Sequence, residues 1–178
     1  MARFDEMLRT KRARDFWAHF APIWESRGYV RRDDFLPETI PHLLGSLVLL
    51  ERRVEGFIYR LVGSNIAGQH GRDLTGSSLG EWTSPVAATI QAQYDKVLAD
   101  RSPILAHYDG PAFRGGSFEV IERRWEKLAF PLAFAGDAPD GVLVCACELA
   151  EKDSFPPCHV GPGASGCWCA APGIPQPR

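Results

Sequence analysis

Residues 46–76 read SLVLLERRVEGFIYRLVGSNIAGQHGRDLTG, and this stretch decides the fold. Two apolar runs, Leu47-Val48-Leu49-Leu50 and Phe57-Ile58-Tyr59 with Leu61-Val62, stand either side of Glu55-Gly56. A strand buried on both faces loses the polar alternation of a half-solvated one, so both runs predict core strands. Glu55-Gly56 predicts a two-residue hairpin loop, in which glycine takes positive φ at little cost. With Val54 and Phe57 flanking that loop, Glu51 falls opposite Arg60, and opposite charges facing each other help to fix a register. Gly63 to Gly71 then predicts a helix of about two turns, capped by Ser64 or Asn65 and stopped by glycine. Arg72-Asp73-Leu74-Thr75-Gly76 follows as a turn-rich loop.

Downstream, Ser84-Pro85 predicts the start of the longest helix, with a serine cap and proline at its first position. Val86, Ile90, Tyr94, Val97 and Leu98 form its apolar face. Strands are expected over Ile104–Tyr108, closed by Asp109-Gly110-Pro111, and after a Gly115-Gly116 turn, through Val120, Trp125, Leu128 and Phe130. The run from Gly141 to Leu149 is almost wholly apolar, which places it in the middle of the sheet. Upstream, Phe16, Trp17, Phe20, Ile23 and Trp24 recur at helical spacing within residues 11–28, ended by Gly28. Pro22 removes one helical hydrogen bond and predicts a kink there. The expected class is α+β, one antiparallel sheet with helices segregated to one face.

At 178 residues the chain can bury a substantial core. A net charge of −2 gives no overall attraction to nucleic acid or to anionic membrane. No apolar run reaches the ~20 residues of a membrane span, and the charged MARFDEMLRTKRAR start lacks a signal-peptide apolar region. A cytoplasmic location is the default expectation. All five cysteines lie at or after position 145, which is not a disulfide framework. Residues 151–178 hold six of the 14 prolines and read as a flexible tail. The expected division is an N-terminal helix over 1–32, a domain over 33–150 and the tail over 151–178.

The element order and several short motifs resemble one bacterial PAS-like family. Its members carry a tyrosine-tryptophan helix, a charged D-F motif, I-P-x-L-L, Y-R-L-V-G and G-R-D-L-T-G. The matching residues here are Phe16-Trp17, Asp34-Phe35, Ile40-Pro41-His42-Leu43-Leu44, Tyr59-Arg60-Leu61-Val62-Gly63 and Gly71-Arg72-Asp73-Leu74-Thr75-Gly76. The resemblance spans residues 14–150, with Phe16 in place of tyrosine and Pro22 inside the helix as departures. It implies a five-stranded antiparallel sheet cupping a small cavity, used for ligand sensing or partner contact, with the aromatic helix added at the N-terminus. It implies no catalytic residues and no particular cofactor.

Individual residues agree with a chain that is not an enzyme. There is no GxSxG elbow, HExxH pair or Walker loop. His70 on the short helix is a candidate haem or metal ligand, but a histidine hydrogen-bonded at a helix end is the plainer reading, and no metal is expected. Cys145 and Cys147 point to one face of a strand about 6–7 Å apart, a separation poor for a disulfide, and read as buried thiols. Cys158, His159, Cys167 and Cys169 lack the spacing of a structural zinc site. Glu119, Glu122 and Glu126, alternating with Arg123, Arg124 and Lys127, read as a solvated, salt-bridged face. The cluster Arg9, Lys11, Arg12 and Arg14 is diluted by acidic neighbours and reads as a solvated helix start rather than a phosphate-binding arm.

The expected function is therefore a PAS-like sensory or regulatory module without an output domain. Its ligand site is expected at Val48, Leu50, Tyr59, Leu61, Ile90, Tyr94 and Val97, with His70 at the rim. Phe16, Trp17, Phe20 and Trp24 are expected to form a homodimer interface over Leu47, Leu49, Ile58 and Val62, since aromatics are enriched at interface cores; a signalling protein is the other partner class. Two other readings are a small α+β enzyme using His70 or Asp73 as base, and a nucleic-acid-associated protein using the basic N-terminal arm.

Overall fold

A computed structural model describes residues 4–81, 85–113, 120–149 and 166–170. Helix α1 (Lys11–Arg27) starts at Thr10, whose hydroxyl accepts from the Ala13 N–H, and ends at Gly28 in the left-handed region at φ 83°. The helix runs on through Pro22. A two-residue strand β1 (Val30–Arg31) and short 3-10 turns lead to β2 (Leu47–Arg53) and β3 (Gly56–Val62). Helix α2 (Ser64–His70) follows, then α3 (Pro85–Asp100), β4 (Ile104–Phe113), β5 (Val120–Ala133), β6 (Gly141–Glu148) and β7 (Gly166–Ala170). Ser84 and the Gly115-Gly116 turn lie outside the described residues.

The strands form a single sheet in the order β3-β2-β6-β5-β4-β7, each neighbouring pair antiparallel, with β1 running parallel to the end of β5. Strands β2 to β6 are the five expected. Two more extend them: β1, and β7, which pairs along β4 and comes from the stretch read as flexible tail. Strand β4 also runs past Pro111 to Phe113, further than its turn residues suggested. The apolar β6 sits between β2 and β5, as its composition predicts.

Each face of the sheet has its own core. On the outer face, Phe16 and Phe20 of α1 pack with Leu47, Leu49, Leu128, Phe130, Leu143 and Cys145. On the inner face, Tyr94 and Val97 of α3 and Ile66 of α2 pack with Val48, Leu50, Phe57, Trp125, Val142 and Val144. Phe130 is the hub of the outer layer, its ring 5.6 Å from Phe16, 5.5 Å from Trp17, and 6.4 Å from both Phe20 and Trp24.

The hairpin register differs from the expected one. Arg53 pairs with Gly56, so the loop is Val54-Glu55, and Glu51 stands opposite Ile58 rather than Arg60. Further along, Leu50 pairs with Tyr59 but Leu49 pairs with Leu61, which leaves Arg60 as the extra residue of a β-bulge. Arg60 still reaches Glu51 diagonally, with Nε 2.5 Å from Oε2. The bulge changes which way the following side chains face. Leu61 packs with the outer cluster and Val62 with the inner one, the reverse of the expected assignment.

Two motifs now have physical roles. Gly63 closes Y-R-L-V-G because a Cβ there would sit 2.3 Å from the Leu44 carbonyl oxygen, so the chain crossing admits glycine alone. It also serves as the N-cap of α2 without a side-chain bond, while Asn65 donates instead to the Ser46 hydroxyl at 3.3 Å. In G-R-D-L-T-G, Asp73 accepts from both the N–H and the hydroxyl of Thr75, at 2.9 and 2.7 Å. Gly76 donates to the Tyr59 carbonyl and Tyr59 to the Ser77 carbonyl, pinning this loop along the edge of β3.

Candidate ligand site on the inner face of the sheet

Among the described residues, the buried polar side chains of the inner face gather around Lys127. Lys127, in the middle of β5, is 2% exposed. Its register partners are Ala106 on β4 and Ala146 on β6. Small residues on both sides leave room for the lysine stem over the sheet. Its ammonium donates to Oε1 of Gln93 on α3, itself buried, and lies 4.7 Å from the ring centre of Tyr94 and 5.3 Å from that of Tyr108. Burial disfavours the charged form and lowers the Lys127 pKa to about 7. Burial raises Tyr59, Tyr94 and Tyr108, and charge repulsion from Tyr59 adds to the last two, so all three keep their protons at neutral pH.

Of the sequence-predicted site residues, Val48, Leu50, Tyr94 and Val97 belong to this inner core, and Tyr59 and Ile90 pack against it. Leu61 does not, because the bulge at Arg60 turns it to the outer face. His70 is the last residue of α2, half-buried, with burial first and the nearby Arg72 charge second lowering its pKa to about 4. It is neutral at physiological pH. Asp73, the other candidate base, is an exposed turn residue committed to Thr75.

The strand read as solvated and salt-bridged is buried instead at Glu126 and Lys127. Glu126 faces the outer layer and is 0% exposed. Its carboxylate accepts from the Arg9 N–H at 2.6 Å, the Thr10 N–H at 2.7 Å and the Thr10 hydroxyl at 2.6 Å, and lies 3.0 Å from His107 Nε2. Burial acts to raise its pKa, but these hydrogen bonds outweigh burial and hold it below the usual carboxylate value. The signal that could have separated these residues from a surface run is position. Register puts Glu126 and Lys127 in the centre of a sheet covered on both faces, which the local charge pattern does not reveal.

The proposed dimer surface also changes character. Phe16 and Phe20 are 0% exposed against their own sheet, and Trp17 and Trp24 pack on the same cluster around Phe130. The Trp24 indole donates to the Arg101 carbonyl at 2.9 Å, tying α1 to the end of α3. Leu47 and Leu49, expected as a platform for a partner, lie beneath this helix. Phe16 and Phe20 are therefore covered within the chain, while Trp17 and Trp24 remain partly exposed beside them.

Cys145 and Cys147 are buried free thiols with sulfur atoms 3.7 Å apart. The Cys147 sulfur bonds to Cys145, which raises the Cys145 thiol, with burial adding to the effect. On the outside of α1, an open groove of about 440 Å³ is lined by Lys11, Asp15, His19, Thr39 and His42. Its charges are taken up locally, since Asp15 pairs with Lys11 at 2.6 Å and with His42 at 3.3 Å. Among the described residues there is no group of histidine, cysteine and acidic side chains able to hold a metal ion. No described helix is long and apolar enough to cross a membrane.

Comparison with known proteins places this architecture. The structure of VqmA bound to DPO superposes with a TM-score of 0.52 at 15% identity, covering 65% of this chain and 58% of that one. A Vibrio cholera VqmA–ligand–DNA complex gives a TM-score of 0.49 at 15% identity, covering 62% and 49%. The chain thus spans somewhat over half the length of the VqmA chain it resembles. No curated protein matches the sequence significantly. The model of the PAS domain matches residues 8–143, from the turn before α1 into β6. The chain belongs to the PAS domain family.

Proposed function

We propose that this PAS domain is a sensory or regulatory module that binds a small molecule between the inner face of the sheet and α3. One observation carries the reading. A buried lysine, a buried glutamine and three protonated tyrosines gather in an interior otherwise made of aliphatic and aromatic side chains. Ligand sites are typically apolar with a few polar groups that set orientation, and this is that composition. The inner-face residues are Val48, Leu50, Tyr59, Ile90, Tyr94 and Val97, with His70 at the edge.

The module reports occupancy to a signalling protein or to a second copy of the chain, and it carries out no chemistry of its own. We read the chain as an N-terminal helix over 1–32, a PAS domain over 33–150 and a tail over 151–178, with α1 packed on the sheet and β7 extending it. Its site of action is the cytoplasm.

Native mass spectrometry of the full chain purified from its host tests the proposal. The expected result is a mass above that of the polypeptide, lost on denaturation. A polypeptide of bare mass, together with unchanged inner-face amide signals against cell metabolite extract, would count against a ligand.

A further inference from the structure

We propose that the ligand is a small organic acid, its carboxylate anchored by the Lys127 ammonium and its apolar body lying against Val48, Leu50 and Val97. This rests on the inner-face binding reading above and adds the chemical class of the ligand.

The first ground is an imbalance of charge. Lys127 is sealed in the interior, yet among the described residues no carboxylate pairs with it. Its contacts are one amide oxygen and two aromatic rings. An ammonium buried without a counter-ion is costly, and an apolar residue of similar volume would serve packing better. The neighbouring residue on the same strand shows the contrast. Glu126 is equally buried and receives hydrogen bonds from Arg9, Thr10 and His107, so its charge is satisfied by the chain alone. Lys127 lacks such a set, and a bound anion supplies it.

The second ground is the inventory of donors and acceptors. An ammonium has three donors, of which Gln93 takes one. The Tyr59, Tyr94 and Tyr108 hydroxyls make no hydrogen bond to any described residue, and burial keeps them protonated. The Gln93 oxygen is already engaged. The site therefore offers donors and charge, and asks for a ligand rich in acceptors and negative. The alanines flanking Lys127, Ala106 and Ala146, leave that part of the sheet without bulky side chains. A flat or slender monocarboxylate fits this combination better than a phosphate, which would leave the surrounding aliphatic wall unused.

The test uses the isotopically labelled full chain, titrated with benzoate, phenylacetate, cinnamate and octanoate and with the carboxamide of each. Binding is read from backbone amide signals of β2, β5 and α3. The expected result is that at least one acid binds about tenfold or more tightly than its amide, and that Lys127→Met brings the ratio close to one while Lys127→Arg keeps a preference for the acid. The amide spectrum of each variant reports its fold, and if Lys127→Met does not fold, the acid–amide comparison on the unmodified chain decides alone. Equal binding of acids and amides would overturn the acid assignment and leave the inner-face site standing. Retained preference in a folded Lys127→Met would also overturn it. Failure of every compound to move inner-face signals would remove both the acid assignment and the site.

Discussion

The carboxylate of Glu126 on β5 holds the backbone N–H of Thr10 at 2.7 Å, joining positions 116 residues apart in the chain. Thr10 is the N-cap of α1, so a charge in the centre of the sheet sets where the N-terminal helix begins. Replacing Glu126 with leucine removes the carboxylate shared by the Arg9 N–H, the Thr10 N–H and hydroxyl, and His107. A loss of about 3–5 kcal/mol is expected, measured by urea unfolding, with cleavage by trypsin near Arg9 and Lys11 becoming faster than elsewhere.

The same carboxylate predicts a pH dependence. Its folded pKa lies below the ordinary value of 4.5, so its contribution is complete above that value and is lost as pH falls through the lower folded pKa. Acid unfolding followed by tryptophan fluorescence should show this step in the unmodified protein and lack it in Glu126→Gln.

Lys127 titrates in the opposite sense. Its folded pKa is about 7 against an ordinary 10.5, so between these values the unfolded chain holds more protons than the folded one. Stability should therefore rise with pH across that window, and the rise should vanish in Lys127→Met. The groups facing it are Gln93 and Tyr94 from α3 and Tyr108 from β4, and the tyrosines stay protonated throughout. Chemical unfolding at a series of pH values checks the slope.

Phe16 is covered by Phe20 and Phe130 of its own chain. Phe16→Ala should cost about 3–5 kcal/mol through transfer and cavity terms, at any protein concentration. A loss that disappears on dilution, or a change in mass by light scattering without loss of stability, would place this ring at a contact between copies instead.

Arg60 offers a test of the bulge. Arg60→Ala removes a half-exposed ion pair with Glu51 and should cost less than about 1 kcal/mol. Deleting Arg60 removes the extra residue and leaves Leu61 opposite Leu49 on the outer face and Val62 opposite Val48 on the inner one, so it should cost little more. In a strand without the bulge the same deletion would turn both side chains over and cost far more. Thermal unfolding of the two variants distinguishes register from charge.

Much of the fold was legible in local pattern. The apolar runs gave β2, β3 and β6, and the spacing of the aromatics within residues 11–28 gave α1 and its stop at Gly28, though not its cap at Thr10. Placing the hairpin loop one residue off moved the register by two positions, which leaves every side chain on its face; Leu50 and Tyr59 were therefore assigned to the correct side. The bulge moved it back by one, leaving an odd offset that no turn or strand propensity announces, and Leu61 and Val62 were exchanged. The Glu126–Lys127 pair was misread for a different reason. Charge alternation on one strand is the pattern of a solvated edge, and only the covering of both faces, by α1 and by α3, reverses its meaning. The aromatic stripe of α1 was found, but a stripe cannot say whether its own sheet or a partner receives it.

Glu126 and Lys127 are consecutive residues, so their side chains point to opposite faces while their Cα atoms sit about 3.8 Å apart across one trans peptide. One grips the start of α1; the other lies among the tyrosines beneath α3. A twist of β5 that carries the ammonium toward an incoming anion must turn the carboxylate with it, like the two arms of a lever on a common pivot. The message from interior to exterior would then travel the length of a single peptide bond.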